Sequence, residues 1–431
     1  MSAEPDFDVI VVGAGVAGCI TAYQLAGRGL SVALIDRGET PGAKNLSGGV
    51  LYTHPLQQVF PDFLQTAPIE RRISRNQICF LNQDSSVAID YRDARLDRDG
   101  TAVSVLRGRL DPWLAERCED AGVLVMPGVR VDSLLIEDGR VVGVVAGEDE
   151  LRARVTVAAD GVNSFLARDA GLRPAPQPHQ LAVGVKAVVQ LPSDIIEARF
   201  GVDALEGAAI AVVGDCTRGV GGGGFIYTNQ GSISVGVVLR LDDLTAKGLR
   251  STEVFDGFLD HPYTERLLRG GELLEYGCHL VAEGGQAMVG ELVHHGLVIV
   301  GDAAGMTINT GLTVRGMDLA AGAAIAAAVG VAEAIETGDV TAAGLAGYPK
   351  ALAAGFVGQD LQTYARAPKF LENPRMYESY GPLLADALHQ VFGLDGSARK
   401  PLRRVAMDAL KGSGIGVGTI VKDAWQGARA L

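Results

Sequence analysis

The 431-residue chain carries 38 Lys and Arg against 51 Asp and Glu, a formal net charge of −13. That balance excludes a nucleic-acid surface of the usual kind, which needs a basic patch to meet phosphate. With 48% hydrophobic residues, a chain of this length holds a large core in about two or three domains. Five scattered cysteines, Cys19, Cys79, Cys118, Cys216 and Cys278, show no CxxC spacing, which argues against a disulfide framework and against a zinc or iron–sulfur site built by this chain alone.

The first residues, Met1 to Asp6, have no basic n-region, so no signal peptide is expected. Asp8 to Val12 is then a β-branched run that reads as a strand. It ends in Gly13-Ala14-Gly15-Val16-Ala17-Gly18, and a helical pattern follows through Ile20, Tyr23, Leu25 and Ala26. Gly27 to Gly29 stops the helix, and a second strand, Val32 to Ile35, ends on Asp36. Strand, glycine turn, helix, strand and terminal acid form a dinucleotide fingerprint. Gly13 permits the tight turn, Gly15 leaves room for a pyrophosphate, and Gly18 lets the helix pack on the strand. The helix N-terminus offers free N–H groups to phosphate. Asp36 is placed to accept ribose hydroxyls, which favours FAD or NAD over NADP.

A long glycine-rich loop leaves Asp36, from Arg37 through Lys44, Asn45, Ser47, Gly48 and Gly49. So much conformational freedom at one place points to function. Residues 77–81 and 86–90 read as strands of a second sheet. Arg107 precedes a helix over 110–118, for which Asp111 is the expected N-cap and Pro112 the first helical residue. Residues 123–126 and 129–131, the latter starting at Val129, read as strands, and 133–145 as a hairpin turning on Asp138-Gly139. The run from Arg154 ends in Asp160-Gly161 and returns the chain to the first sheet. From Leu181 to Leu241 the pattern is mainly β, with a glycine run at 221–224 that suggests close approach of a ligand. Residues 251–275 read as helical.

A second strong motif is the strand 296–300 ending in Gly301-Asp302, which puts a carboxylate at the carboxyl edge of a sheet, where ligands bind. The apolar stretch 319–332 that follows is shorter than a membrane span and reads as a buried core helix. The last part of the chain reads as helices broken by prolines.

Together the glycine fingerprint with Asp36, Ala159-Asp160-Gly161 and Gly301-Asp302 resemble the FAD-dependent oxidoreductases of the p-hydroxybenzoate-hydroxylase fold. Residues 41–52, 105–107 with 111–115, 222–229 and 314–319 resemble the FixC branch, relatives of the electron-transfer-flavoprotein:quinone oxidoreductases and of the geranylgeranyl reductases. The resemblance implies an α/β fold. A Rossmann-like FAD-binding domain (1–75, 96–178 and 276–345) is interleaved with a mainly antiparallel β-sheet substrate or quinone domain (76–95 and 179–275). A mostly helical region (346–431) follows. It implies that Gly13, Gly15, Gly18 and Asp36 hold the ADP half of FAD. Arg107 and Asp302 flank the pyrophosphate and ribityl chain. Lys44 to Gly49 and Gly311, Leu312 and Thr313 lie near the isoalloxazine ring. Arg37, Val129, Asp160, Gly161 and Gly301 complete the expected set.

The quinone oxidoreductases carry a cysteine-rich iron–sulfur segment near their C-terminus; this chain has no cysteine after Cys278. The FixC resemblance therefore implies a separate ferredoxin-like subunit. The function implied is electron passage from an electron-transfer flavoprotein to a quinone, by a cytoplasmic protein with at most peripheral membrane contact. The alternative is a stand-alone flavoenzyme that reduces a C=C bond, or oxidises or hydroxylates a small molecule. No metal site is expected; no catalytic His or Cys constellation is evident, and electron transfer requires no side-chain acid–base machinery beyond proton delivery, so the sequence names no catalytic residue.

Overall fold

The computed structural model describes residues 4–43 and 48–431. Lys44, Asn45 and Ser47 therefore lie outside the described residues. Two sheets organise the rest. In the first, Val293–His294, Leu297–Ile299, Asp149–Ala158, Phe7–Val12, Val32–Asp36 and Leu124–Pro127 lie side by side. From Leu297–Ile299 onward the pairings are parallel. Parallel strands are covered on both faces and so read as unbroken apolar runs; Val9, Ile10, Val11, Ala33, Leu34 and Ile35 are fully buried. A meander of Ser133–Glu137 and Arg140–Ala146 extends the long strand Asp149–Ala158. Its turn has positive φ at Asp138 and Gly139 (48° and 76°), as the sequence predicts.

The strand order reverses between Phe7–Val12 and Asp149–Ala158. Open α/β sheets bind ligands at such a switch point, outside the carboxyl ends of the strands. The helix Val16–Ala26 starts there and packs on two others, Met317–Thr337 and Arg107–Asp120.

In the second sheet the order is Glu272–Ala282, Leu181–Gln190, Ser232–Arg240, Gly222–Thr228, Glu206–Gly214, Ile69–Asn82, Ala102–Val105 and Gly49–Tyr52, with Ser85–Arg92 also paired to Ile69–Asn82. Among the described residues only Glu206–Gly214 with Ile69–Asn82 is a parallel pairing in this sheet. One face of this sheet is covered by helix Ser251–Asp260, whose Val254, Phe255 and Phe258 are buried. After Ala346 the described chain is helical, from Gly347–Ala354 to Val417–Ala430.

Several expectations are corrected. The helix read over 110–118 begins at Arg107, after Leu106 in an extended conformation (φ −102°, ψ 118°). Asp111 is thus no N-cap but an interior residue, drawn into an i,i+4 ion pair with Arg107, and Pro112 lies inside the helix. Residues 272–275 are not helical. They start the edge strand Glu272–Ala282, which pairs with Leu181–Gln190, so a boundary at 275/276 would cut a strand. Gly49–Tyr52, the start of Ile69–Asn82 and Ala102–Val105 also belong to the second sheet, so its membership is wider than 76–95 and 179–275. Residues 129–131 form no strand; the Val129 N–H donates to the Asp36 carbonyl at 3.0 Å. The apolar helix is longer than 319–332. At 21 residues it is long and apolar enough to cross a membrane by composition, but 67% of its apolar window is buried against the protein.

Candidate functional site

The carboxyl ends of the first sheet face the open side of the second across a cavity of about 680 Å³, within the size range of small-molecule and cofactor sites. Its upper wall begins at the glycine turn. Gly13 has φ +104°, and a Cβ there would lie 2.3 Å from the Ala159 carbonyl oxygen. A Cβ at Gly18 would lie 1.8 Å from the Gly13 carbonyl oxygen. Both glycines are required by backbone packing. Gly15 is different: it has ordinary extended backbone, and a Cβ there would meet only the Arg107 Nη2 at 3.4 Å. Its missing side chain leaves space in the cavity rather than relieving a clash.

The helix that starts at Val16 has no side-chain cap and no acid in its first turn. Its free N–H groups and positive dipole end are left to an anion. The Asp36 carboxylate accepts from the Ala14 N–H at 2.8 Å and the Gly38 N–H at 2.7 Å. One oxygen is used by each turn, so the group is oriented and keeps further lone pairs for hydroxyls. Arg107 is held by Asp111 through bonds of 2.6 and 2.7 Å, which aims a fixed guanidinium at the same space. Asp302 lies opposite; burial raises its pKa, partly opposed by the charges of Arg107 and Arg173. Burial likewise raises that of Asp160, whose carboxylate accepts from Ser164 Oγ and the Leu166 N–H. A pyrophosphate at the helix end and a ribose at Asp36 fit this donor and acceptor set.

The floor is the second sheet. Lys186 projects from Leu181–Gln190 and donates to the Gly48 carbonyl at 2.8 Å. Burial and the Arg107 charge push its pKa down to about 8. His279 and Glu283 follow on the edge-strand side, and Phe225, stacked on Tyr227 at 4.9 Å, lies on the other side of Lys186, on Gly222–Thr228. Burial lowers the His279 pKa, helped by Lys186, Arg107 and Arg37. At the far end Arg315 bridges Asp318 (2.6 Å) and Asp360 (2.5 Å).

Of the residues singled out from the sequence, Gly13, Gly15, Asp36, Arg37, Gly48, Gly49, Arg107, Val129, Asp160, Gly161 and Asp302 line this one cavity. Gly18 and Gly301 lie behind it; a Cβ at Gly301 would meet the Ala17 Cβ at 2.9 Å. Gly311, Leu312 and Thr313 form a turn closed on itself. The Gly311 N–H donates to Asn309 Oδ1, and those of Leu312 and Thr313 to Thr310 Oγ1. The cavity wall there is made instead by Ile308, Asn309 and Val314 to Gly316. Sequence reasoning missed Lys186, His279, Glu283, Asn309 and Arg315 as site residues. Lys186 had a signal: it is the one charged residue in LAVGVKAVVQ. Among the described residues no cluster of three or more His, Cys, Asp or Glu suits a metal.

Residues 8–93 match the FAD dependent oxidoreductase family, and residues 367–431 the ETF-QO/FixC family C-terminal domain. The chain is 45% identical to a probable electron transfer flavoprotein-quinone oxidoreductase, YdiS, of Escherichia coli K12, over 99% of this chain and 100% of that protein. It is 40% identical to the protein FixC of the same strain, again over 99% and 100%. Among solved structures, a geranylgeranyl bacteriochlorophyll reductase-like protein of Thermoplasma acidophilum superimposes with a TM-score of 0.70 at 19% identity, over 98% of this chain and 99% of that one. The flavin-dependent brominase Bmp2 superimposes at 0.63 and 17% identity, over 94% and 98%. These two likenesses concern the fold.

Proposed function

This chain belongs to the family of FixC and the electron-transfer-flavoprotein:quinone oxidoreductases, and we propose that it is an FAD-dependent oxidoreductase passing electrons from an electron-transfer flavoprotein to a quinone. The observation that carries this reading is the 45% identity to YdiS along 99% of the chain. FAD supplies the electron exchange when bound. The residues of this chain hold and orient it. Gly13, Gly15 and the helix end at Val16 receive the pyrophosphate. Asp36 accepts from the adenosine ribose, and Arg37 and Val129 flank it. Arg107, Asp160, Gly161 and Asp302 border the middle of the cofactor. Gly48, Gly49 and the sheet face around Lys186 and Tyr227 meet the ring. Gly18 and Gly301 act from behind, through packing. Lys44, Asn45 and Ser47 retain their proposed place near the ring on the strength of the resemblance, as do Gly311, Leu312 and Thr313.

In this reading the first sheet and its helices are the FAD-binding domain. The second sheet, extended to 49–52, 69–105 and 179–282, is the quinone side. The helical region from 346 is an adjunct, with Leu402, Val421 and Trp425 exposed for peripheral contact. A separate ferredoxin-like subunit supplies the cluster this chain does not encode, and the protein works at the cytoplasmic face of a membrane.

The test is anaerobic. The FAD-loaded protein is mixed with reduced electron-transfer flavoprotein and a short-tailed quinone, and in parallel with NADH or NADPH alone. Rapid flavin reduction by the flavoprotein and reoxidation by quinone are expected. Reduction by the nicotinamides with oxygen-dependent product formation would refute the proposal.

A further inference from the structure

Reduction of a quinone needs protons as well as electrons, and nothing assigned above supplies them. The cavity offers one half-buried acid on its sheet-side wall. Glu283 follows directly on the edge strand Glu272–Ala282 and lines the cavity. Its Oε2 accepts from Asn309 Nδ2 at 3.0 Å. Asn309 is itself fixed, because its Oδ1 accepts from the Gly311 N–H at 2.8 Å. The charged and titratable groups that face Glu283 are Arg240, at the end of Ser232–Arg240, and Tyr377, in helix Arg375–Glu378. Arg240 is engaged by Asp242 at 2.7 Å, and the Tyr377 hydroxyl donates to the Leu371 carbonyl at 2.5 Å. His279 and Lys186 lie farther along the floor. Among the described residues Glu283 has no ion pair. A carboxyl in a cavity wall with one neutral donor beside it is disfavoured as an anion; burial pushes Glu283 up to about 7.

We propose that Glu283 is the proton carrier of this site, donating protons to the oxygens of a quinone bound in the cavity as the quinone takes up electrons. The proposal rests on the electron-transfer reading above. Quinone reduction consumes two electrons and two protons. Two O–H bonds form at the former carbonyl oxygens, and the electrons come from reduced electron-transfer flavoprotein. Glu283 gives up a proton, regains one from water in the cavity, and gives a second. Lys186, with its own proton held loosely, stands on the same floor but is tied to the Gly48 carbonyl.

Glu283→Gln keeps an acceptor for Asn309 and removes the acid. In the FAD-loaded wild type, infrared spectroscopy should show a protonated-carboxyl band that titrates near neutrality and is missing in Glu283→Gln. The rate of quinone reduction by reduced electron-transfer flavoprotein should fall as pH rises through the same range. In Glu283→Gln it should be about 10²-fold lower at pH 6, of the size general acid catalysis contributes, and its pH profile should be flat. Glu283→Asp should restore part of the rate and the pH dependence. A wild-type pH profile preserved in Glu283→Gln, or no titrating band in the wild type, overturns the proposal. A wild type that accepts no electrons from the flavoprotein overturns the functional reading instead, and the infrared titration still decides whether Glu283 holds a proton near neutrality.

Discussion

Replacing Gly15 with alanine should separate cofactor binding from folding. The backbone at Gly15 is extended (φ −83°, ψ −173°), so alanine is tolerated. Trading glycine for alanine at a helix N-cap costs the fold about 1 kcal/mol or less. The added methyl, however, would stand in the cavity, 3.4 Å from Arg107 Nη2, in the path of a pyrophosphate approaching the helix end. Losing one hydrogen bond to a charged phosphate costs about 1.5–3 kcal/mol, or roughly ten- to a hundredfold in FAD affinity. Gly18→Ala is the contrast. Its Cβ would fall 1.8 Å from the Gly13 carbonyl. The helix must then move off the strand, an overpacking penalty of about 1–3 kcal/mol or more. Thermal unfolding of both apo-proteins and fluorescence titration with FAD distinguish the two. Gly15→Ala should unfold near the wild-type temperature and bind FAD weakly; Gly18→Ala should unfold well below it. Wild-type FAD affinity in Gly15→Ala, or equal destabilisation by both changes, would refute the assignment of Gly15 to the cofactor path.

Lys186→Met should stabilise the apo-protein at pH 7. The folded pKa is pushed down to about 8 from 10.5, so below pH 8 the half-buried ammonium carries its full desolvation cost, and between pH 8 and 10.5 that cost is relieved as the folded state sheds its proton first. Allowing for water in the cavity, the gain at neutral pH is about 1–2 kcal/mol. It should shrink as pH rises above 8; a variant less stable at pH 7 than at pH 10, relative to wild type, contradicts the reasoning. Arg315→Met leaves the buried Asp318 and the partly exposed Asp360 unpaired, and should cost about 3 kcal/mol or more. Urea unfolding measures this, and a loss below 1 kcal/mol would mean that other groups neutralise Asp318.

The extent to which the site could be read in advance follows from the range of each interaction. Gly13, Gly15, Gly18 and Asp36 act within one strand–turn–helix–strand unit. Their spacing is enough, because the phosphate turn and the ribose acid are set by local backbone geometry. The same holds for Asp138-Gly139, where the turn conformation itself demands those residue types. Local signals also misled. Asp111-Pro112 has the composition of a helix start, yet the helix begins a turn earlier, because Arg107 claims the Asp111 carboxylate as an ion-pair partner. Residues 272–275 look helical until the strand Leu181–Gln190, more than eighty positions earlier in sequence, is there to pair with them.

The sequence by itself determined the cofactor class and the family. The glycine turn, Asp36, Asp160-Gly161 and Gly301-Asp302 are chemical requirements written in consecutive residues. Only the tertiary structure decided what faces them. Lys186 and His279 come to the cavity because two antiparallel strands set alternate side chains on the face turned towards the first sheet, and Glu283 follows directly where the second of them ends. Asn309 and Arg315 come from the short hairpin beyond Asp302. Buried charge and unpaired acid are properties of neighbours brought together by folding, and no spacing along the chain records them.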